Sequence, residues 1–232
     1  MSWPGFLMAS VLTGYPNEGF IDDVNTLLMG PGTQPACAAI APDDWRGIMA
    51  TLAEALHGGP GMETMRSDYI DLFDRNRSGN SLYETEFGKD RAMRKSHELA
   101  DLAGFYRAFG LLAADEDGLR EMPDHISVEL EFYAYLLLKE ESLLQAGDHD
   151  GVAIVADARK KFLADHLGRF ARAIAERPGV AAHGYFGPLF RWCEALVKNE
   201  CGRMGAEPEA TAWISTEAES DTVTCGVACA KT

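Results

Sequence analysis

Along most of the chain apolar residues recur every three or four positions, and alternation at spacing two is almost absent. The pattern predicts helices and no substantial sheet. Phe6 to Leu12 is a short apolar segment ended by Tyr15-Pro16-Asn17, and Phe20, Val24, Leu27 and Leu28 mark a second helix stopped at Gly30-Pro31-Gly32. A third carries Trp45, Ile48, Met49, Leu52, Ala55 and Leu56; it starts at Asp43 or Asp44 behind Pro42 and closes at Gly58-Gly59-Pro60-Gly61. Met62, Met65, Tyr69 and Leu72 form a fourth. From Asp74 to Ser81 no residue is apolar, so this stretch is a solvated loop. A long helix then spans roughly Lys89 to Leu112, with Leu99, Leu102, Ala103, Tyr106 and Phe109 on its inner face, until Asp115-Glu116-Asp117-Gly118 breaks it.

The next helix opens at Pro123-Asp124-His125 and is dense in apolar and aromatic residues through Leu136. After a break at Gly147-Asp148-His149-Asp150-Gly151, Val155, Phe162, Leu163, Leu167, Phe170 and Ile174 continue the core, and Leu189, Cys193, Leu196, Val197 and Cys201 supply the last clear helix. From Gly205 the chain turns small, polar and acidic, with little apolar periodicity beyond Trp213 and Ile214, and reads as a loosely ordered tail. The expectation is an all-α, bundle-like single domain of about ten helices over residues 1–204, a tail over 205–232, and a hinge near Glu116 to Pro123.

Pro123 before Asp124 marks a helix start, and an Asp there is expected as an N-cap accepting backbone N–H bonds, a contribution of about 1 kcal/mol. That role accounts for Asp124 but not for His125. A histidine in the first turn lies beside the positive end of the helix dipole, which favours its neutral form.

These residues, with Tyr69-Ile70-Asp71-Leu72-Phe73 and Ser81-Leu82-Tyr83-Glu84-Thr85-Glu86-Phe87, resemble the TorD/DmsD/NarJ family of redox-enzyme maturation chaperones over about residues 6 to 200. Asn80 to Gly88 and Glu98 to Tyr106 look closest to the NarJ-like delta proteins, and the chain departs from the TorD branch in lacking a Trp-rich peptide groove. The resemblance implies a cytoplasmic, system-specific chaperone for the apo catalytic subunit of a molybdenum enzyme of the dimethyl sulfoxide reductase superfamily. It would bind the subunit's N-terminal region or signal peptide, assist cofactor insertion and assembly, and proofread twin-arginine export. An Asp-His pair at the hinge between two helical halves is the family's hallmark, and Asp124 and His125 fall on it. Tyr69, Phe73, Tyr83 and Glu84 are the further client-binding candidates, an aromatic groove rimmed by acids such as Glu84 and Glu86.

Charge and cysteine usage narrow the alternatives. A formal net charge of −15 argues against nucleic acid, whose phosphates need a basic footprint, and favours a basic partner. Arg46 is the first basic residue and no apolar run approaches the ~20 residues that span a bilayer, so neither a secretory signal nor membrane insertion is expected. Cytoplasmic residence follows, as a monomer or homodimer. Cys37, Cys193, Cys201, Cys225 and Cys229 are read as free thiols. Cys225 and Cys229 are spaced i, i+4 but lack a neighbouring His, His57, His97, His149, His166 and His183 show no ligand spacing, and no metal or other cofactor is expected. Gly58-Gly59-Pro60-Gly61 lacks the Gly-Lys-Ser/Thr of a phosphate loop, and no Gly-x-Ser-x-Gly elbow occurs. The chain is thus not expected to be an enzyme. The competing reading is a small helical hydrolase or nucleotide-dependent enzyme using Asp124 and His125 as a base pair.

Overall fold

The computed structural model describes residues 3–56, 61–74, 80–88, 91–111 and 121–211. Among these lie eleven α-helices: α1 (Trp3–Thr13), α2 (Phe20–Met29), α3 (Thr33–Ala38), α4 (Pro42–Leu56), α5 (Gly61–Tyr69), α6 (Arg91–Ala108), α7 (Ile126–Ala146), α8 (His149–Phe162), α9 (Gly168–Ala175), α10 (Pro178–Ala181) and α11 (Phe186–Met204). Two π-helical turns interrupt the regular winding, Ile70–Asp74 after α5 and Leu163–Leu167 between α8 and α9. No strand occurs among the described residues, where β-pairing is limited to an isolated antiparallel bridge between Tyr83 and His125. The described residues form an all-helical fold, as the periodicity predicts.

Three helices make the centre because their sequences demand cover on several sides. α1 is apolar almost all round, and its Thr13 hydroxyl is satisfied by donating back to the Ala9 carbonyl at 2.8 Å. It lies along α7, which buries Ile126, Leu130, Phe132, Tyr133, Leu136 and Leu137 between α1 and α8. α11 packs against α4, α8, α9 and α1, and its Trp192 indole donates to the Cys37 carbonyl of α3 at 3.0 Å. A buried polar brace crosses this core. Arg159 of α8 is 3% exposed and pairs with Glu140 of α7 and Glu200 of α11, while its Nε donates to the Tyr133 hydroxyl at 3.3 Å.

The break foreseen at 147–151 is tighter than expected. Gly147 ends α7 in the left-handed region (φ 73°), where glycine carries no Cβ penalty, and the Asp148 side chain then caps α8 by accepting the Gly151 N–H at 2.9 Å. The expected long helix from Lys89 to Leu112 is α6, which ends at Ala108 in a Gly110 turn (φ 78°). Past α11, Ala206 is buried, and a Cβ on Gly168 would meet the Pro208 Cγ at 2.4 Å, so residues 206–211 lie over the helix surface. His57 and Gly58-Gly59-Pro60, the loop residues 75–79, the helix break at 115–118, most of the expected hinge, and the tail residues 212–232 with Trp213, Ile214, Cys225 and Cys229 lie outside the described residues.

Candidate functional site

The start of α7 organises the site. His125, with extended backbone (φ −76°, ψ 137°), is the N-cap, its Nδ1 accepting the Ser127 N–H at 3.2 Å and facing the Ser127 hydroxyl at 2.7 Å. A backbone N–H can only donate, so Nδ1 is the acceptor nitrogen and the ring proton sits on Nε2, which faces the Tyr69 hydroxyl at 3.4 Å. The N-cap expected at Asp124 therefore falls one residue later. Asp124 is drawn away by Thr85, whose hydroxyl and N–H donate to Oδ2 at 2.6 and 3.3 Å.

Main-chain bonds clamp the 82–84 segment against this helix start: the Glu84 N–H donates to the Asp124 carbonyl at 2.8 Å and the Ile126 N–H to the Leu82 carbonyl at 2.9 Å. Tyr83 is thereby set opposite His125, its ring edge-on at 5.1 Å, and its hydroxyl donates to Glu121 at 2.9 Å. Tyr69 begins an aromatic run, touching Tyr15, Phe73 and Phe186, and Phe73 continues it to Phe190. All six candidate residues thus converge on one region, though they come from three distant segments. Its outward edge is apolar: Tyr15 is 40% and Met122 52% exposed.

Glu84 is not on an acidic rim. It is buried, accepting from Arg169 Nε at 2.8 Å and facing His166 Nδ1 at 2.9 Å, partners from the α8–α9 region that draw it inward. Arg169 also reaches Glu98 at 3.0 Å, and His166 Nε2 meets Asp101 at 3.2 Å, so the network ties the 84–86 turn to α6 and α9. Glu86 remains at the surface, paired with Lys95 at 2.8 Å. Carboxylates at a surface cleft lie elsewhere: Glu54 and Asp68 border a cavity of about 340 Å³ between α4 and α5, floored by Met65, Tyr185 and Phe186. Phe186 is shared with the Tyr69–Phe73 run.

Burial sets the protonation of this region. His125 is pushed down to about 4 by loss of hydration, against the opposing pull of Asp124, so its ring is neutral at physiological pH. The neutral form is the one expected at a helix N-terminus, and burial is what favours it here. Burial also disfavours charge on His166, but the hydrogen bond and charge of Glu84 outweigh it and raise its pKa. No hydrogen bond joins the Asp124 carboxylate to the His125 ring, since Thr85 holds one and Ser127 the other.

His166, Arg169, Thr85, Ser127 and Glu129 were not singled out from sequence. Glu129 and His166 did leave a signal, each a polar residue in the middle of an apolar helical face. Cys37, Cys193 and Cys201 are buried, and burial pushes the Cys37 thiol up to about 12 and Cys201 to about 11. Among the described residues no group of three His, Cys, Asp or Glu is placed to hold a metal ion, and no helix is long and apolar enough to cross a membrane.

The sequence pattern of the nitrate reductase delta subunit matches residues 40–176, a span that contains all six candidates. The chain is 34% identical over 155 residues to a chlorate reductase assembly chaperone protein of Ideonella dechloratans, covering 64% of this chain and 75% of that protein. It is 31% identical over 149 residues to a selenate reductase assembly chaperone protein of Thauera selenatis, covering 62% of this chain and 72% of that protein.

Proposed function

We propose, on the premise that this chain belongs to the nitrate reductase delta subunit family, that it is an assembly chaperone for the catalytic subunit of a molybdenum oxidoreductase. It holds the apo subunit by its N-terminal region in the cytoplasm while cofactor is inserted, and withholds it from twin-arginine export until then. The observation that carries this reading is similarity to two proteins named as reductase assembly chaperones, over a span that includes the converged candidate residues.

The geometry supports a binding role over a catalytic one. His125 is 1% exposed with Nδ1 engaged by Ser127, and Asp124 is 2% exposed with its carboxylate engaged by Thr85, so neither offers a base to a substrate. The hydrolase alternative is not favoured. The client segment would lie along Tyr15 and Tyr83, over the buried Tyr69, with basic side chains directed to Glu54 and Asp68.

Calorimetric titration with the N-terminal peptide and the apo catalytic subunit of the molybdenum enzyme encoded beside it tests this. Stoichiometric binding, and co-purification of one large subunit, are expected. Absence of binding to both would falsify the proposal.

A further inference from the structure

Glu129 lies in the first turn of α7, fully buried, and neither carboxyl oxygen finds a hydrogen-bond partner among the described residues. Its N–H is taken by the His125 carbonyl, so it sits directly behind the helix cap. Charged and titratable groups surround it: Glu84 from the 84–86 turn, Asp124 before the helix, Glu98 and Tyr106 from α6, and Arg169 from α9, while the Leu163–Leu167 π-turn, also packed on α7, sets His166 against Glu84. α1, packed along α7, contributes no charged residue. Loss of hydration and the carboxylates of Glu84, Asp124 and Glu98, opposed by Arg169, push the Glu129 carboxyl well above the ordinary glutamate range.

A fully buried ionised carboxylate without a donor would be costly, whereas the neutral acid is tolerated. Two segments adjoin Glu129, 82–84 through the charge of Glu84 and 124–126 just before it in the chain, and they are joined to each other by the Glu84 and Ile126 N–H bonds. We propose that Glu129 is a proton-linked latch: the 82–84 segment stays closed on the start of α7 while Glu129 carries its proton, and lifting that segment hydrates the carboxyl, which gives its proton to solvent. The O–H bond breaks, the electron pair stays on the carboxylate, and the reverse step recloses the site. That a docking client drives the opening rests on the chaperone reading; the latch itself does not.

Two other groups titrate on opening and are separable. His125, neutral when closed, takes up a proton only below the ordinary histidine range near pH 6.5. His166, its pKa raised by Glu84, releases one above it. The Glu129 proton is therefore the difference between wild type and Glu129→Gln.

The experiment is hydrogen exchange of the Glu84 and Ile126 amides in the client-free chain between about pH 6 and 8, with infrared detection of a buried protonated carboxyl. Protection in wild type should fall about tenfold per pH unit more steeply than in Glu129→Gln, the slope of one released proton. The acid carbonyl band at neutral pH should be missing from the variant. Equal slopes, or no Glu129-dependent band, overturn the latch. Wild type alone also decides: the band must persist as long as the two amides stay protected, and loss of the band from a chain still protected overturns the latch even where the variant fails to fold. Client titration plays no part, so failure here is distinct from failure of the chaperone reading.

Discussion

With its ring buried and Nδ1 already accepting from Ser127, His125 resists a second proton, and this gives the chain an acid sensitivity with a definite sign. The folded pKa of about 4 lies below the ordinary histidine value, so the stability it contributes is complete above about pH 6.5 and is lost as pH falls towards 4, by up to about 3 kcal/mol. His166 runs the other way: its raised pKa contributes stability that is complete below the ordinary histidine value and fades as pH rises through the folded one, so it adds no slope in the acid window. In His125→Asn the cap is kept, because asparagine is among the best N-cap residues, while the titration is removed. Thermal melts of wild type and His125→Asn should therefore diverge between about pH 6.5 and 4.5, the variant losing less; parallel curves contradict the assignment. Asp124→Asn is expected to lose about 1–2 kcal/mol in urea unfolding, because Thr85 and not the helix end depends on the carboxylate. An N-cap role would have made that change nearly harmless. At this scale the sequence marked the right side chains but not their partners: Glu84 meets Arg169 85 positions away and His166 82 away, separations that leave no spacing pattern to read.

Among the elements, α8 carries a buried cation, Arg159, that bridges α7 and α11. Arg159→Met would strand Glu140 and leave Glu200 only its contact with Arg203 at 3.1 Å, and unfolding by urea should show a loss of about 3–5 kcal/mol, the range for one partner removed from a buried pair. A loss within about 0.5 kcal/mol, as at an ordinary surface position, would mean the brace is not formed. Gly168, where the π-turn hands over to α9, tests the 206–211 segment: an added methyl meets both Pro208 Cγ at 2.4 Å and the Leu163 carbonyl at 2.2 Å. Gly168→Ala should cost about 1–3 kcal/mol, and adding Pro208→Ala should recover only part, since the backbone contact persists. Full recovery would assign the whole cost to Pro208. The helices with long amphipathic or apolar runs, α4, α6, α7, α8 and α11, were legible because periodicity sums over many residues. α3 and α10 were not: six residues around Pro35 and four behind Arg177 give no full period. The π-turns were invisible for another reason, as Leu163 and Leu167 stay buried whichever winding carries them.

For the whole molecule, net charge sets what the proposed client interaction should feel. With a net charge of −15 and carboxylates at the mouth of the α4–α5 cavity, affinity for a basic client segment should weaken as salt rises, through slower association above all. Calorimetry at low and high salt checks this, and a salt-independent affinity would place the contact on the apolar edge at Tyr15 and Met122 instead. The acidity was plain from the sequence; where it gathers was not, because Glu54 and Asp68 are brought together only by the packing of α4 on α5. The central claim, that this chain activates a molybdenum oxidoreductase without catalysing its reaction, is tested most directly in cells from which its gene is removed. The account predicts that one molybdenum oxidoreductase loses activity while its catalytic subunit is still synthesised, and that restoring the chain restores activity. Full activity of every such enzyme in the absence of the chain would contradict it.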